Sequence, residues 1–202
     1  MPLLHTPRED APVEEAGALQ AERVEAQLVG RVARGERQAF EQLYRAYHPR
    51  LTRFLDRMTR RSGLIGELLN DTMFVVWTHA GRYNGQSKVS TWIFAIAYRK
   101  ALKAMSRWDE PVPDPEQDHA AETAAGPEQR LAHAQLRDAL ALALAGLSVE
   151  QRAMVDLCYH HGIGYREIGE VIGCPAETVK TRMFYARQRL RSLLPGRPED
   201  WL

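Results

Sequence analysis

The stretch Tyr165–Leu194, YREIGEVIGCPAETVKTRMFYARQRLRSLL, decides how the rest of the chain is read. Ile168, Val171 and Ile172 recur at helical spacing, Gly173 and Cys174 interrupt, and Pro175 restarts the chain in a first helical turn, where its missing N–H costs nothing. The next helix is expected to bury Val179, Met183, Ala186 and Leu190. At about 100° per residue, the opposite face carries Glu177, Thr181, Phe184, Tyr185 and Gln188, with Lys180 and Arg182 on its flanks. Hydroxyls, an amide and aromatic rings sit in the middle of that face, and cations sit where phosphates would run. Two short helices joined by a tight turn have the layout of a helix-turn-helix. In its DNA-binding form the second helix enters the major groove with its N-terminal residues on base edges, while flanking Arg and Lys fix the register through phosphates. An ordinary helical hairpin with a solvated charged face is the alternative, because many helix pairs mimic the pattern.

Composition neither requires nor excludes nucleic acid, since 27 Lys and Arg against 26 Asp and Glu leave 202 residues with a net charge of +1. The distribution matters more than the sum. Acids gather at Glu9, Asp10, Glu14 and Glu15 and between Asp109 and Glu128, whereas cations gather over Arg99–Arg107 and Lys180–Arg197. Such patches act within a screening length of about 8 to 10 Å whatever the total charge. The length suits one or two small domains. Two cysteines, Cys158 and Cys174, with no secretory h-region and no apolar run long enough to span a bilayer, lead us to expect a soluble, cytoplasmic protein without membrane insertion.

Residues 1–19 are rich in Pro, Ala and Glu without periodicity and are expected to form a disordered tail. Residues 107–129 hold three closely spaced prolines, many acids and almost no large apolar residues, the composition of a flexible acidic linker. No internal repeat and no period-two alternation occurs, so the fold class is all-α: a four-helix domain over 20–106 and a helix-turn-helix domain over 130–196. In the first domain a short helix, Ala21 to Ala33, presents Val24, Leu28 and Val32 before Gly35 stops it. A long helix follows with Phe40, Leu43, Tyr44, Tyr47, Leu51, Leu55 and Met58 in steps of three and four. A third, Leu64 to Ala80, is expected to bury Leu68, Leu69, Met73, Val76 and Trp77. After a polar loop with turn-forming Asn84 and Gly85 and an N-cap at Ser87 or Ser90, a fourth helix runs through TWIFAIAYRKALKAMSR.

That fourth helix sets Trp92, Phe94 and Tyr98 beside a cationic row at Arg99, Lys103 and Arg107. Bases stack on aromatic faces for about 1 to 3 kcal/mol each while cations track phosphates, so the combination suits single-stranded nucleic acid. The bland reading makes the aromatics core and the cations a solvated face.

Two ordered regions now resemble those of a known family. Glu67–Trp77 (ELLNDTMFVVW) and Arg82–Leu102 (RYNGQSKVSTWIFAIAYRKAL) resemble region two of the extracytoplasmic-function (ECF) sigma factors, and Leu147–Leu194 resembles their region four. The resemblance implies a non-enzymatic, cofactor-free promoter-specificity subunit that binds core RNA polymerase. Carried over by position, it implies that Thr178, Lys180, Thr181, Arg182, Phe184 and Tyr185 read the minus-35 element. It implies that Tyr83, Asn84, Gln86, Ser87, Lys88 and Trp92, with Arg99 and Lys103 behind them, read and melt the minus-10 element. Glu67, Leu68, Asn70 and Asp71 match the patch that docks on the clamp helices of the largest polymerase subunit. An anti-sigma factor is a further partner the family implies.

Two departures stand out. Tyr185 replaces a basic residue common at its position, and Leu64, Ile65 and Gly66 replace an acidic run common before the docking helix. Phosphate on Thr59, Ser62 or Thr72, placed by a protein kinase, would restore negative charge there, adding about −1.5 to −2 units. Apolar docking through Leu64 and Ile65 is the simpler alternative. No metal site is expected: Cys158, His160 and His161 lack a further ligand at zinc-finger spacing. No phosphate-binding loop, nucleophile elbow or nuclease carboxylate set occurs. A stand-alone dimeric helix-turn-helix regulator is the competing function; it would read a palindrome and leave the first domain unexplained.

Overall fold

The computed structural model describes residues 12–107 and 139–193, and every regular element among them is helical. The elements are α1 (Pro12–Ala33), α2 (Arg37–Thr59), α3 (Ser62–His79), a 3-10 turn (Ala80–Arg82), α4 (Val89–Met105), α5 (Val149–Tyr159), α6 (Tyr165–Ile172) and α7 (Ala176–Leu193). Residues 139–145 are helical as well. Most of the stretch expected as an acidic linker lies outside the described residues.

α1 begins at Pro12 rather than Ala21, so part of the expected tail is helix. Its Ala, Glu, Gln and Leu residues are strong helix formers whether or not they are periodic, and proline is well suited to the first helical position. The face it buries also differs from expectation: Val29 and Val32 are in the core, while Val24 is 45% exposed. α2 follows its stripe closely, with Leu43, Tyr47, Leu51, Phe54, Leu55 and Met58 buried, and Arg60 ends it in the left-handed conformation (φ 56°). Fully burying an apolar side chain of this size contributes about 1.5–3 kcal/mol, so this row alone anchors the first half. The Tyr47 hydroxyl, deep in that row, donates to Glu25 Oε2 at 2.7 Å, tying α2 to α1. Burial and the Glu25 carboxylate both push the Tyr47 phenol upward, which keeps it a neutral donor.

α4 is the pivot of the molecule. All six residues Ile93–Tyr98 are buried, so this helix is covered on every side and not along one stripe. α2 and α3 pack on one flank, and α6 of the helix-turn-helix packs on another. Phe94 and Tyr98, the aromatics expected on a base-stacking surface, are therefore core residues at 0% and 2% exposure. The first turn of α4 also differs from expectation, because Lys88 is its N-cap residue, without a side-chain cap, in place of Ser87 or Ser90. Trp77, expected inside, is 36% exposed and meets Phe40 edge-on at 5.1 Å.

A second contact between the halves joins α2 to α5. Arg57 Nη1 donates to Asp156 Oδ1 at 2.6 Å, and the Asp156 side chain is only 4% exposed. His161 lies beyond the end of α5 with its ring 4.5 Å from Phe94 and its Nε2 3.1 Å from Asp156 Oδ2. Burial alone would lift the Asp156 carboxyl, but His161 and the Arg57 guanidinium together hold it below the ordinary value. Arg152 Nη2 reaches the Met58 carbonyl at 3.4 Å from the same side.

Candidate nucleic-acid interface

In the C-terminal half the helix-turn-helix is built as the sequence pattern requires. The Gly164 N–H donates to Glu167 Oε2 at 3.2 Å at the start of α6. At its end Gly173 takes φ +85°, and the N–H groups of Gly173 and Cys174 both donate to the Gly169 carbonyl, at 2.8 and 3.0 Å. Gly169 is required for the close approach of the turn: a Cβ there would sit 2.5 Å from the Cys174 carbonyl oxygen. Pro175 precedes α7 and its carbonyl accepts from Thr178 and Val179. Arg187 Nη1 donates to the Tyr165 hydroxyl at 2.9 Å, locking α7 to α6.

α7 buries Val179, Met183 and Ala186, with Leu190 partly buried. The face left to solvent carries Lys180, Thr181, Phe184 and Tyr185. Phe184 and Tyr185 are 58% and 56% exposed and meet edge to face at 5.6 Å. Two large exposed aromatics on a helix that already has a full apolar stripe are not there to complete the core. Of the other residues named for the minus-35 element, Thr178 is half-buried and Arg182 is half-buried with Nη1 2.6 Å from Glu150 Oε2 on α5.

The second cluster sits at the start of α4. The Tyr83 hydroxyl donates to the Ser87 carbonyl at 2.6 Å and Asn84 Oδ1 accepts from the Gln86 N–H at 3.1 Å, so the loop is held by its own polar groups. The Trp92 ring lies 5.2 Å from Tyr83, and both are half-buried. Asn84, Gln86 and Lys88 are exposed, as are Arg99 and Lys103 further along the helix. Lys88 is ion-paired to Glu22 at 2.7 Å and to Glu167 at 3.0 Å. Hydrogen bonds to these two carboxylates raise the Lys88 ammonium above its ordinary value, so it stays charged. Neither acid was singled out in the sequence.

The third cluster lies on α3. Glu67, Asn70 and Asp71 are exposed, but Leu68 is a core residue at 5% exposure. Asp71 pairs with Lys100 at 2.9 Å and Asn70 Oδ1 accepts from the Tyr44 hydroxyl at 3.3 Å. Phe74, 66% exposed, continues the same face one helical turn past Asn70, at a four-residue spacing visible in the sequence. Among the hydroxyls considered for phosphorylation, Thr59 and Thr72 are buried and donate to the Leu55 and Leu68 carbonyls, so in the folded protein neither is open to a kinase. Ser62 is exposed at the first position of α3.

The geometry and the comparisons with known proteins agree. Residues 43–109 match the model of Sigma-70 region 2, and residues 143–192 match that of Sigma-70, region 4. The ECF RNA polymerase sigma factor SigM of Mycobacterium tuberculosis is 31% identical over 173 residues, 86% of this chain and 86% of that protein. The chain belongs to the ECF sigma factor family. The RNA polymerase sigma-H factor of Pseudomonas aeruginosa is 25% identical over 178 residues, 83% of this chain and 92% of that one. Among solved structures, the sigma factor RpoE of Bartonella quintana, in complex with the anti-sigma factor NepR, superposes with a TM-score of 0.63 at 23% identity, over 76% of this chain and 95% of that one. CnrH in complex with the cytosolic domain of CnrY gives 0.62 at 19% identity, over 84% and 96%. The sigma factor described here is thus a DNA-binding subunit that directs transcription initiation. None of its described helices is long and apolar enough to cross a membrane.

Proposed function

We propose that this sigma factor binds core RNA polymerase and recognises a two-part promoter, α7 reading the minus-35 element in the major groove and the Tyr83–Trp92 loop capturing bases extruded from the minus-10 element. The observation that carries this reading is the exposed Phe184–Tyr185 pair with Lys180 and Thr181 beside it, on a helix whose apolar stripe is already filled. Aromatic edges suit contact with thymine methyl groups, and the lysine suits phosphate. In the loop, exposed Asn84 and Gln86 supply amides for a base edge, Trp92 and Tyr83 supply a wall for stacking, and Lys88, Arg99 and Lys103 supply charge for the strand. Glu67, Asn70, Asp71 and Phe74 form the surface that docks on the polymerase clamp helices.

Regulation by an anti-sigma factor is part of the proposal, supported by the complexes of the two structural neighbours. Ser62 is the hydroxyl we retain as a phosphorylation site, because it is exposed and a phosphate at the first position of α3 would meet the positive end of the helix. The test is transcription in vitro from a promoter library with bacterial core RNA polymerase, with and without the purified protein. Start sites that appear only with the protein support the reading. Duplex binding by the protein alone, with no specific transcript, would favour a stand-alone regulator.

A further inference from the structure

The face that α7 turns to solvent is apolar where a reader of guanine would be cationic. The Thr181 hydroxyl donates to the Glu177 carbonyl at 3.0 Å, so its proton is engaged within the helix and the γ-methyl is what the side chain has left to offer. Phe184 and Tyr185, 58% and 56% exposed, meet with ring centroids 5.6 Å apart and ring planes 74° apart. Each ring limits the motion of the other, so the pair presents one fixed apolar corner.

The guanidinium groups nearest that corner are drawn away from it. Residues three or four apart are neighbours on a helix surface, which puts Arg182 beside Tyr185. Its Nη1 is held by Glu150 Oε2 of α5 at 2.6 Å. Arg187 Nη1 donates to the Tyr165 hydroxyl of α6 at 2.9 Å. Lys180 stands on the flank, where it suits a phosphate. The base edges of the major groove separate on this difference. Guanine presents two acceptors, O6 and N7, which a guanidinium matches with paired donors, whereas thymine presents a methyl group, which aromatic rings and a threonine methyl match.

We propose that Thr181, Phe184 and Tyr185 read a thymine methyl in the minus-35 element, and that Glu150 enforces this choice by keeping the Arg182 guanidinium off the neighbouring base edge, an assignment that rests on α7 being the minus-35 reader. Glu150 is a positioning residue, acting through Arg182 and not on the base. Its loss would leave the apolar corner intact and return to the helix a group that accepts guanine.

The experiment uses RNA polymerase reconstituted with full-length wild type, Phe184→Ala, Tyr185→Ala or Glu150→Gln. The probe is a duplex promoter recovered in the transcription assay, with each minus-35 thymine replaced in turn by deoxyuridine, which lacks only the methyl. Phe184 and Tyr185 are exposed and Glu150 partly so, and matched thermal melts establish that the variants fold. In the wild type, one or two of these replacements should weaken binding about fourfold each, the worth of one carbon withdrawn from apolar contact. Phe184→Ala and Tyr185→Ala should bind thymine and deoxyuridine alike at those positions. A G·C pair in place of T·A there should weaken wild type about tenfold. The same change should weaken Glu150→Gln only about twofold, because the released guanidinium supplies a guanine contact worth about fivefold. A merely structural role for Glu150 would lower affinity for both duplexes by one factor and leave the tenfold ratio in place, which would overturn the part assigned to it. Wild-type binding indifferent to every deoxyuridine, with Phe184→Ala still weakened, would overturn the thymine assignment alone. Binding untouched by both aromatic substitutions, or no promoter-specific transcription with wild type, would overturn the underlying reading of α7 instead.

Discussion

Gly169→Ala tests how the turn of the helix-turn-helix is built. The added methyl would lie 2.5 Å from the Cys174 carbonyl oxygen and 3.5 Å from the Ala176 nitrogen. Both are backbone atoms, so no flexible side chain can swing aside. Restoring ordinary contact requires the turn to move by about 1 Å. Overpacking of this kind costs about 1–3 kcal/mol, and the displaced turn strains the two hydrogen bonds that Gly173 and Cys174 make to the Gly169 carbonyl, each worth about 1 kcal/mol. Alanine returns up to about 1 kcal/mol in helix propensity, leaving a net loss of about 2 kcal/mol. If the helix-turn-helix half melts by itself, that loss lowers Tm by about 8–16 °C; if the chain melts as one unit, by about 4–8 °C. The control is Gly173→Ala, which meets no atom within 4 Å but sits at φ +85°, and loses about 1–2 kcal/mol through backbone strain alone. Thermal melting followed by circular dichroism, with minus-35 duplex binding measured below the transition, reads both. A Gly169→Ala protein that melts within about 1 °C of wild type would refute the close approach of α6 and the turn.

Phe184→Ala should leave stability within about 0.5 kcal/mol, since the ring is exposed, yet weaken minus-35 duplex binding by about 1–3 kcal/mol in a fluorescence titration. Lys180→Ala should lower affinity for all sequences alike and reduce the salt slope by about 1. On α3, Leu68→Ala should destabilise the fold by about 2–5 kcal/mol, whereas Phe74→Ala should leave the melt unchanged and weaken binding to core polymerase. Ser62→Asp should tighten polymerase binding, and unchanged affinity would count against a regulatory phosphate there. Because the Asp156 carboxyl is held below its ordinary value in the folded state, its contribution is fully present above about pH 4 and lost as the pH falls through the lowered value. Stability should therefore not change through Asp156 between pH 5 and 8, and the acid loss seen in wild type should shrink in Asp156→Asn, as measured by denaturant midpoints across pH.

What the sequence made legible was local and periodic. The stripes of α2 and α7 stand in steps of three and four, and the αL glycine at 173 and the proline at 175 punctuate the turn, so type and face could be read directly. The start of α1 escaped because Ala, Glu and Gln form helix without making a stripe. Trp77 and Leu68, nine residues apart, lie on opposite flanks of the buried face of α3, and only Leu68 is covered, because which neighbours close over a flank depends on tertiary packing. The run Ile93–Tyr98 is the sharpest case. Six successive apolar or aromatic positions announce a helix buried all round, yet nothing local says what covers its far side. The cover is α6, more than sixty residues along the chain, and it is fastened by single residues from each half, Lys88 to Glu167 and Arg57 to Asp156. A lone pair of opposite charges has no periodicity to detect. The Lys88–Glu167 pair is partly exposed, and such pairs are weak and screened by salt, whereas Asp156 is buried and the far side of α4 is covered by apolar packing. Each half is therefore held by signals that can be read locally, and the joint between them by signals that cannot.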